Sequence, residues 1–255
     1  MNEITLNTIY NESCLKTLER INDSFIDLVI TSPPYNMNLR IRNGEYCSRQ
    51  IVEEFSTKYK GFDDNLPIEE FYIFHKKIIS ELLRTSKIIF YNIQVVTGSK
   101  RAFFKIIGDF ADNLKDIIIW DKGYGQPAMA ERVLNRQSEL ILVFDNQNAI
   151  SRQFKTANFK RGTLSDVWNI NRGKKITQGH SAVFPEKLVE TIITNFSNEN
   201  DIVYDPFMGT GTTAFVSNLL NRRWLGSEII PEYCQIINER VKKSNGLFIA
   251  ESPTI

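Results

Sequence analysis

The sequence predicts an α/β fold in which a mostly parallel central sheet carries helices on both faces. Short β-branched runs alternate with longer amphipathic stretches along almost all of the 255 residues, and such alternation builds strand-helix-strand units. A strand-like run ending at Asp205 also passes through a glycine-rich turn, Gly209 and Gly211, directly into a helix-like run. Glycines there let the backbone approach a ligand, as in the crevices of open α/β sheets. The length and a hydrophobic share of 42% suffice for one large domain with a sizeable core.

In chain order, "FIDLVI" (25–30) predicts the first buried strand, followed by "KIIFYNI" (87–93), "DIIIWD" (116–121), "ELILVFD" (139–145), "DIVYDPF" (201–207) and "RWLGSEI" (223–229). Helical spacing of apolar residues predicts helices over 68–84, 99–111, 185–196, 212–222 and 231–243. No internal repeat, low-complexity tract or linker divides the chain, so residues 1–255 read as a single domain. Two polar, irregular stretches, 36–66 and 146–179, break the alternation. Excursions of that length are usually functional.

The second excursion is basic. Arg152, Lys155, Lys160, Arg161, Arg172, Lys174 and Lys175 face Asp166 alone across residues 151–175, with Phe154, Phe159 and Trp168 between them. Such a stretch suits a phosphate backbone, although a solvated loop is the plainer reading of any charge run. The formal net charge of +1 excludes neither. Cys14, Cys47 and Cys234 lie far apart without a CxxC pair, which predicts no disulfide framework and no metal site and fits a reducing cytoplasm. No apolar run approaches the roughly 20 residues that span a bilayer, and the N-terminus lacks a signal-like pattern, so no membrane contact is expected.

Two short stretches carry chemistry. In "DIVYDPFMGTGTTAFVSNLL" (201–220) the glycine turn opens a helix, and Glu228, 17 residues after Gly211, ends the next strand where a carboxylate can accept both ribose hydroxyls of a nucleoside. No GK[ST] follows and the full GxGxxG is absent, so the adenosyl ligand implied need not carry a pyrophosphate. The other stretch is "TSPPY" (31–35), which stops an apolar strand at a hydroxyl, two prolines and an aromatic ring.

Together, "TSPPY" and "DPFMGTGTT" (205–213) resemble the signature pair of the S-adenosylmethionine-dependent DNA amino-methyltransferases of bacterial restriction-modification systems, and their order resembles the class called beta. "HSAVFPEKL" (180–188) resembles the HPAxFPxxL segment of that class, with Ser181 where proline is usual. "NESCLKTL" (11–18) resembles its GDCLExL, with Glu12 and Ser13 in place of glycine and aspartate. "IIFYNIQ", "IIIWDK", "SELILVF" and "SDVWNI" resemble its remaining strand motifs in the expected sequence. The resemblance implies a Rossmann-like methyltransferase fold without a metal, target-recognition insertions at 36–66 and 146–179, and S-adenosyl-L-methionine bound by Ser13, Cys14, Phe184, Pro185, Lys187, Asp205, Pro206, Phe207, Gly209, Gly211, Thr212 and Glu228. It implies Ser32, Pro33, Pro34 and Tyr35 as the catalytic group. As partners it implies double-stranded DNA, a cognate restriction endonuclease acting on the same site, and a second copy of the chain; the charge run itself offers its seven basic residues as the DNA contacts.

The chemistry explains the tetrapeptide "SPPY" (32–35). An exocyclic amine of cytosine or adenine is a poor nucleophile because its lone pair is delocalised into the ring. The Ser32 hydroxyl and the Pro33 carbonyl can each accept one amino hydrogen and stabilise the charge that develops on nitrogen. Prolines hold those carbonyls rigidly, and Tyr35 offers a π-face for a flipped-out base. The plainer readings are a turn cap for Ser32, a strand stop for the prolines and a half-buried ring for Tyr35. Carbon-5 methylation is disfavoured because no cysteine follows a proline. A serine first in the tetrapeptide resembles the cytosine-N4 enzymes, and the adenine-N6 enzymes are the alternative. The rival functions are a methyltransferase acting on a protein or small-molecule amide and a non-catalytic DNA-binding module.

Overall fold

The computed structural model describes residues 3–36, 39–42, 45–48, 66–125, 131–147, 149–173 and 184–250. Among them the elements run β1 (Thr8–Tyr10), α1 (Cys14–Leu18), β2 (Ile26–Thr31), β3 (Leu39–Arg42), β4 (Glu45–Ser48), α2 (Ile68–Thr85), β5 (Ser86–Ile93), α3 (Lys100–Asp109), β6 (Leu114–Asp121), β7 (Ser138–Asp145), β8 (Val167–Asn169), α4 (Glu186–Phe196), β9 (Ile202–Asp205), α5 (Thr212–Leu219), β10 (Arg223–Ser227) and α6 (Pro231–Ala250). Every strand and helix expected from periodicity is present, with ends displaced by up to three residues except in α6, which runs on to Ala250. None of the described helices is long and apolar enough to cross a membrane.

Eight strands form one sheet in the order β1-β10-β9-β2-β5-β7-β6-β8. β1, β10, β9, β2 and β5 are parallel, β7 is antiparallel to both its neighbours, and β8 is parallel to β6. From β2 the chain builds outward through β5, and from β9 it builds the other way through β10. The strand order therefore reverses between β2 and β9, and a crevice opens at their carboxyl ends. "TSPPY" leaves β2 and "DPFMGTGTT" leaves β9, so the two motifs meet there although about 170 residues separate them.

Alternation along the strands divides the core into two layers. Val29, Ile89 and Tyr91 face α2, which buries Phe71, Ile78, Ile79 and Leu82, while Leu28, Ile30 and Phe90 face α4, which buries Leu188, Val189, Ile192 and Phe196. Each such side chain contributes about 1.5–3 kcal/mol of burial. The sheet is thereby covered on both faces.

The two polar excursions are more regular than expected. Residues 39–42 and 45–48 pair as an antiparallel hairpin inside 36–66. In the second, β8 joins the edge of the main sheet, and Phe154 and Phe159 pack edge-on against Phe196 of α4. Trp168 is 4% exposed and donates its indole N–H to the Ser165 carbonyl. These three rings cover the sheet and are not a platform for nucleic acid; apolar area decides their fate before charge does.

Gly211 fixes the turn between β9 and α5 at φ +84°, and a Cβ built on it would lie 2.7 Å from Ile237 Cγ1. Gly211→Ala is therefore expected to destabilise the fold by about 2 kcal/mol or more, read as a fall in Tm of several degrees. An unchanged melting curve would contradict the tightness of this turn.

Candidate active site

Asp205, at the end of β9, clamps the two loops together. Its Oδ1 accepts from Thr31 Oγ1 at 2.8 Å and from the Phe207 N–H at 3.0 Å, and its Oδ2 accepts from Thr213 Oγ1 at 2.7 Å. Burial outweighs these donors and raises its carboxyl to about 6. Glu228, just beyond β10, accepts the Gly209 N–H on Oε2 and the Ile230 N–H on Oε1, both at 2.9 Å. Desolvation again dominates and raises this carboxyl to about 7.

Between them opens a crevice of about 1120 Å³, solvent at its mouth included. Of the residues expected at the site, Ser13, Cys14, Ser32, Pro34, Phe184, Asp205, Pro206, Phe207, Gly209, Thr212 and Glu228 line it. Pro33 and Tyr35 are buried within the loop that follows β2 and, like Pro185, which caps α4, and Gly211, which shapes the turn, are not among the residues of the crevice wall. Lys187 corrects the expectation: it sits on the exposed first turn of α4, 3.1 Å from Glu190, and takes no part in the crevice wall. Cys14 is an inert wall, its thiol pushed up to about 12 by burial.

Sequence reasoning missed several wall residues, among them Phe74, Met208 and Tyr233, and above all Glu12. The Glu12 carboxylate accepts from Thr17 Oγ1 at 2.9 Å and pairs with Arg20. It stands beside Ser13, so the region that lacks the usual aspartate still holds a carboxylate.

A second polar group lies behind Ser32. Its hydroxyl is 2.6 Å from Tyr35 Oη, and Asn92 Nδ2 is 2.5 Å from the same phenol and 2.7 Å from Glu139 Oε2. Tyr35 itself is 5% exposed, so the open stacking face expected of it is absent; its ring belongs to the core and its hydroxyl is the end that meets the site. Asn36 ends the loop at φ +57°, donating from Nδ2 to the Leu66 and Gly98 carbonyls. An asparagine tolerates that conformation better than most residues. Beneath it, His75 is fully buried among Phe71, Phe103 and Tyr91, and burial lowers its imidazole to about 3, so it stays neutral.

The basic residues do not converge. Lys155 lies beside Lys87 and Asp145, at the amino end of β5, about 20 Å of strand from the catalytic loop, and Arg152 is three residues away. Lys160 and Arg161 are exposed in a turn before β8. Arg172 follows β8 at the carboxyl end, the same end as Ser32, and is exposed. Lys174 and Lys175 lie outside the described residues. The same end of the sheet also carries Arg132 and Arg136, exposed between β6 and β7, which no motif signalled.

A reversed strand order, a buried carboxylate beyond the strand next to a glycine turn, and a hydroxyl one strand away define an α/β enzyme that binds an adenosyl group. The chain belongs to the DNA methylase family of N6 and N4 methyltransferases, whose profile matches residues 26–239. It is 30% identical to the orphan methyltransferase M.BamHII of Bacillus amyloliquefaciens over 88% of this chain and 91% of that protein. It is likewise 30% identical to the type II methyltransferase M.BglII of Bacillus subtilis, over 91% of this chain and 68% of that one. Among solved structures, the cytosine-N4-specific PvuII DNA methyltransferase shares the fold with a TM-score of 0.69 at 18% identity, covering 97% of this chain and 93% of that chain. The M1.HpyAVI complex with S-adenosylmethionine gives 0.63 at 20% identity, over 92% and 98%.

The chain is thus a DNA amino-methyltransferase with S-adenosylmethionine as its cofactor. The crevice fits that group: its described wall contains Glu12, Asp205 and Glu228 and neither lysine nor arginine, as suits a cationic ligand without phosphates.

Proposed function

We propose that the chain methylates the N4 amine of a flipped-out cytosine within a specific sequence of duplex DNA. The observation that carries this reading is Ser32, a neutral hydroxyl on the crevice wall at the head of "SPPY", since a serine there resembles the cytosine enzymes. Bound in the crevice, the sulfonium supplies an electrophilic methyl group. Glu228 would hold the ribose hydroxyls, and Glu12 would face the amino-acid end of the cofactor. Ser32 Oγ and the Pro33 carbonyl would each accept a hydrogen bond from the target amine and stabilise its positive charge as the bond to nitrogen forms and the bond from methyl to sulfur breaks. A base inside the duplex cannot reach this point, so it must leave the stack.

The DNA-facing surface is the carboxyl end of the sheet, which Arg132, Arg136 and Arg172 share with the catalytic loop. Segments 36–66 and 146–179 keep their proposed roles in closing over the target base and recognising the target sequence; residues 49–65 and 174–179 of them lie outside the described residues. Arg152 and Lys155 at the other end are solvated charges. The type II naming of relatives supports a restriction-modification setting, while one relative is named an orphan methyltransferase; a cognate endonuclease and a homodimer are part of the proposal. The test is to supply labelled S-adenosylmethionine and unmethylated genomic DNA, digest the product to nucleosides and identify the methylated one by mass spectrometry. N4-methylcytosine is expected; N6-methyladenine would overturn the base assignment and keep the family.

A further inference from the structure

We propose that Glu139, held by Lys122, is a positioning residue that sets the direction of the hydroxyl chain behind Ser32, so that the serine oxygen meets the target amine as an acceptor. This rests on the reading of Ser32 given above. Glu139 is the second residue of β7, and strand pairing places it opposite Trp120 of β6, next to Leu140, which is paired with Ile93 of β5. It reaches three groups from three parts of the chain. Oε1 takes Lys122 Nζ at 2.9 Å, and Oε2 takes Asn92 Nδ2 at 2.7 Å and Tyr35 Oη at 3.1 Å.

The side chain of Lys122 is 2% exposed and that of Glu139 is 11% exposed. A buried ion pair at the end of two strands is expensive to desolvate, and apolar residues of similar volume would hold those strands as well. Its placement is better explained by what the second carboxylate oxygen touches. A carboxylate only accepts, whereas Tyr35 has a single proton to give and Asn92 already donates toward the phenol oxygen. With the phenolic proton turned to Glu139, Oη becomes the acceptor for the Ser32 proton across 2.6 Å. Ser32 Oγ then gives its proton away from the crevice and, with Asn92 Nδ2 no nearer than 3.4 Å, keeps a lone pair for the amine.

Without the carboxylate the chain can reverse. Tyr35 then donates to Ser32, and the serine proton points at the amino group it should attract. Glu139 thus acts through Tyr35 and Ser32 and need not touch the substrate.

The test uses the full chain, saturating S-adenosylmethionine and unmethylated duplex DNA, with single-turnover methylation rates and cofactor Kd measured for wild type, Glu139→Gln, Tyr35→Phe and the double variant. Each single substitution is expected to lower the rate by about 10- to 100-fold with cofactor Kd within about twofold of wild type, and the double variant to be no slower than the slower single one. A Glu139→Gln rate within about twofold of wild type overturns the proposal, as do losses that multiply in the double variant, or a Kd that weakens in step with the rate. If Glu139→Gln leaves Lys122 unpaired and does not fold, Tyr35→Phe decides alone, because it keeps the ring and the ion pair: an unchanged rate overturns the proposal and a tenfold loss at constant Kd supports it. Wild-type protein that labels no DNA overturns the reading on which the proposal rests, a failure distinct from variants that match an active wild type.

Discussion

Ser32→Ala is expected to slow methyl transfer by about 100- to 1000-fold, the usual loss when one preorganised partner of a charge-developing atom is removed. Cofactor affinity and Tm should hardly move. The Ser32 hydroxyl has only side-chain partners among the described hydrogen bonds, Tyr35 Oη and Asn92 Nδ2, so it caps no turn and its loss breaks no backbone structure. Single-turnover kinetics beside a cofactor titration separate the cases. A variant that loses stability but keeps its rate would return Ser32 to a structural role.

Glu228 governs the other half of the crevice, and its effect should be read in binding. Glu228→Ala is expected to weaken S-adenosylmethionine binding by on the order of 100-fold, since hydrogen bonds to a charged group contribute about 1.5–3 kcal/mol each and the Gly209 and Ile230 amides also lose their acceptor. The pH dependence has a definite sign. Burial raises the carboxyl to about 7 in the free protein, and ribose hydroxyls favour its ionised form, so binding must release a proton below that value. Affinity should therefore fall as pH drops from about 8 through 7 toward 6, by up to about tenfold per unit. Glu228→Gln, which cannot ionise, should bind more weakly than wild type at pH 8 and show little change across the range. A flat wild-type profile would remove Glu228 from the cofactor site.

The motifs were legible because their chemistry is local. "TSPPY" and "DPFMGTGTT" each hold their acceptors or glycines within a few residues, and the alternation around them announces a mostly parallel sheet; the strand-order reversal that brings them together is seen only in the sheet itself. The support behind Ser32 was illegible for the opposite reason. Tyr35, Asn92, Lys122 and Glu139 are separated by up to 104 positions, and only the pairing of β5, β7 and β6 gathers them. Short elements such as β1 and α1 carry too few residues for a period to register. Charge misled most: Lys155 and Arg172 belong to one basic run but leave opposite ends of the sheet, because β8 crosses between them. Lys187 matched a motif by position, yet its place in the helix turns it toward solvent and Glu190.

The most direct test of the central claim is to follow labelled methyl from S-adenosylmethionine into unmethylated duplex DNA until incorporation stops. Transfer into DNA that saturates at a fixed number of sites per genome, with the label on an exocyclic nitrogen, is what this account predicts. Cofactor binding with no label in any DNA, or label found only in protein or small amides, would contradict it.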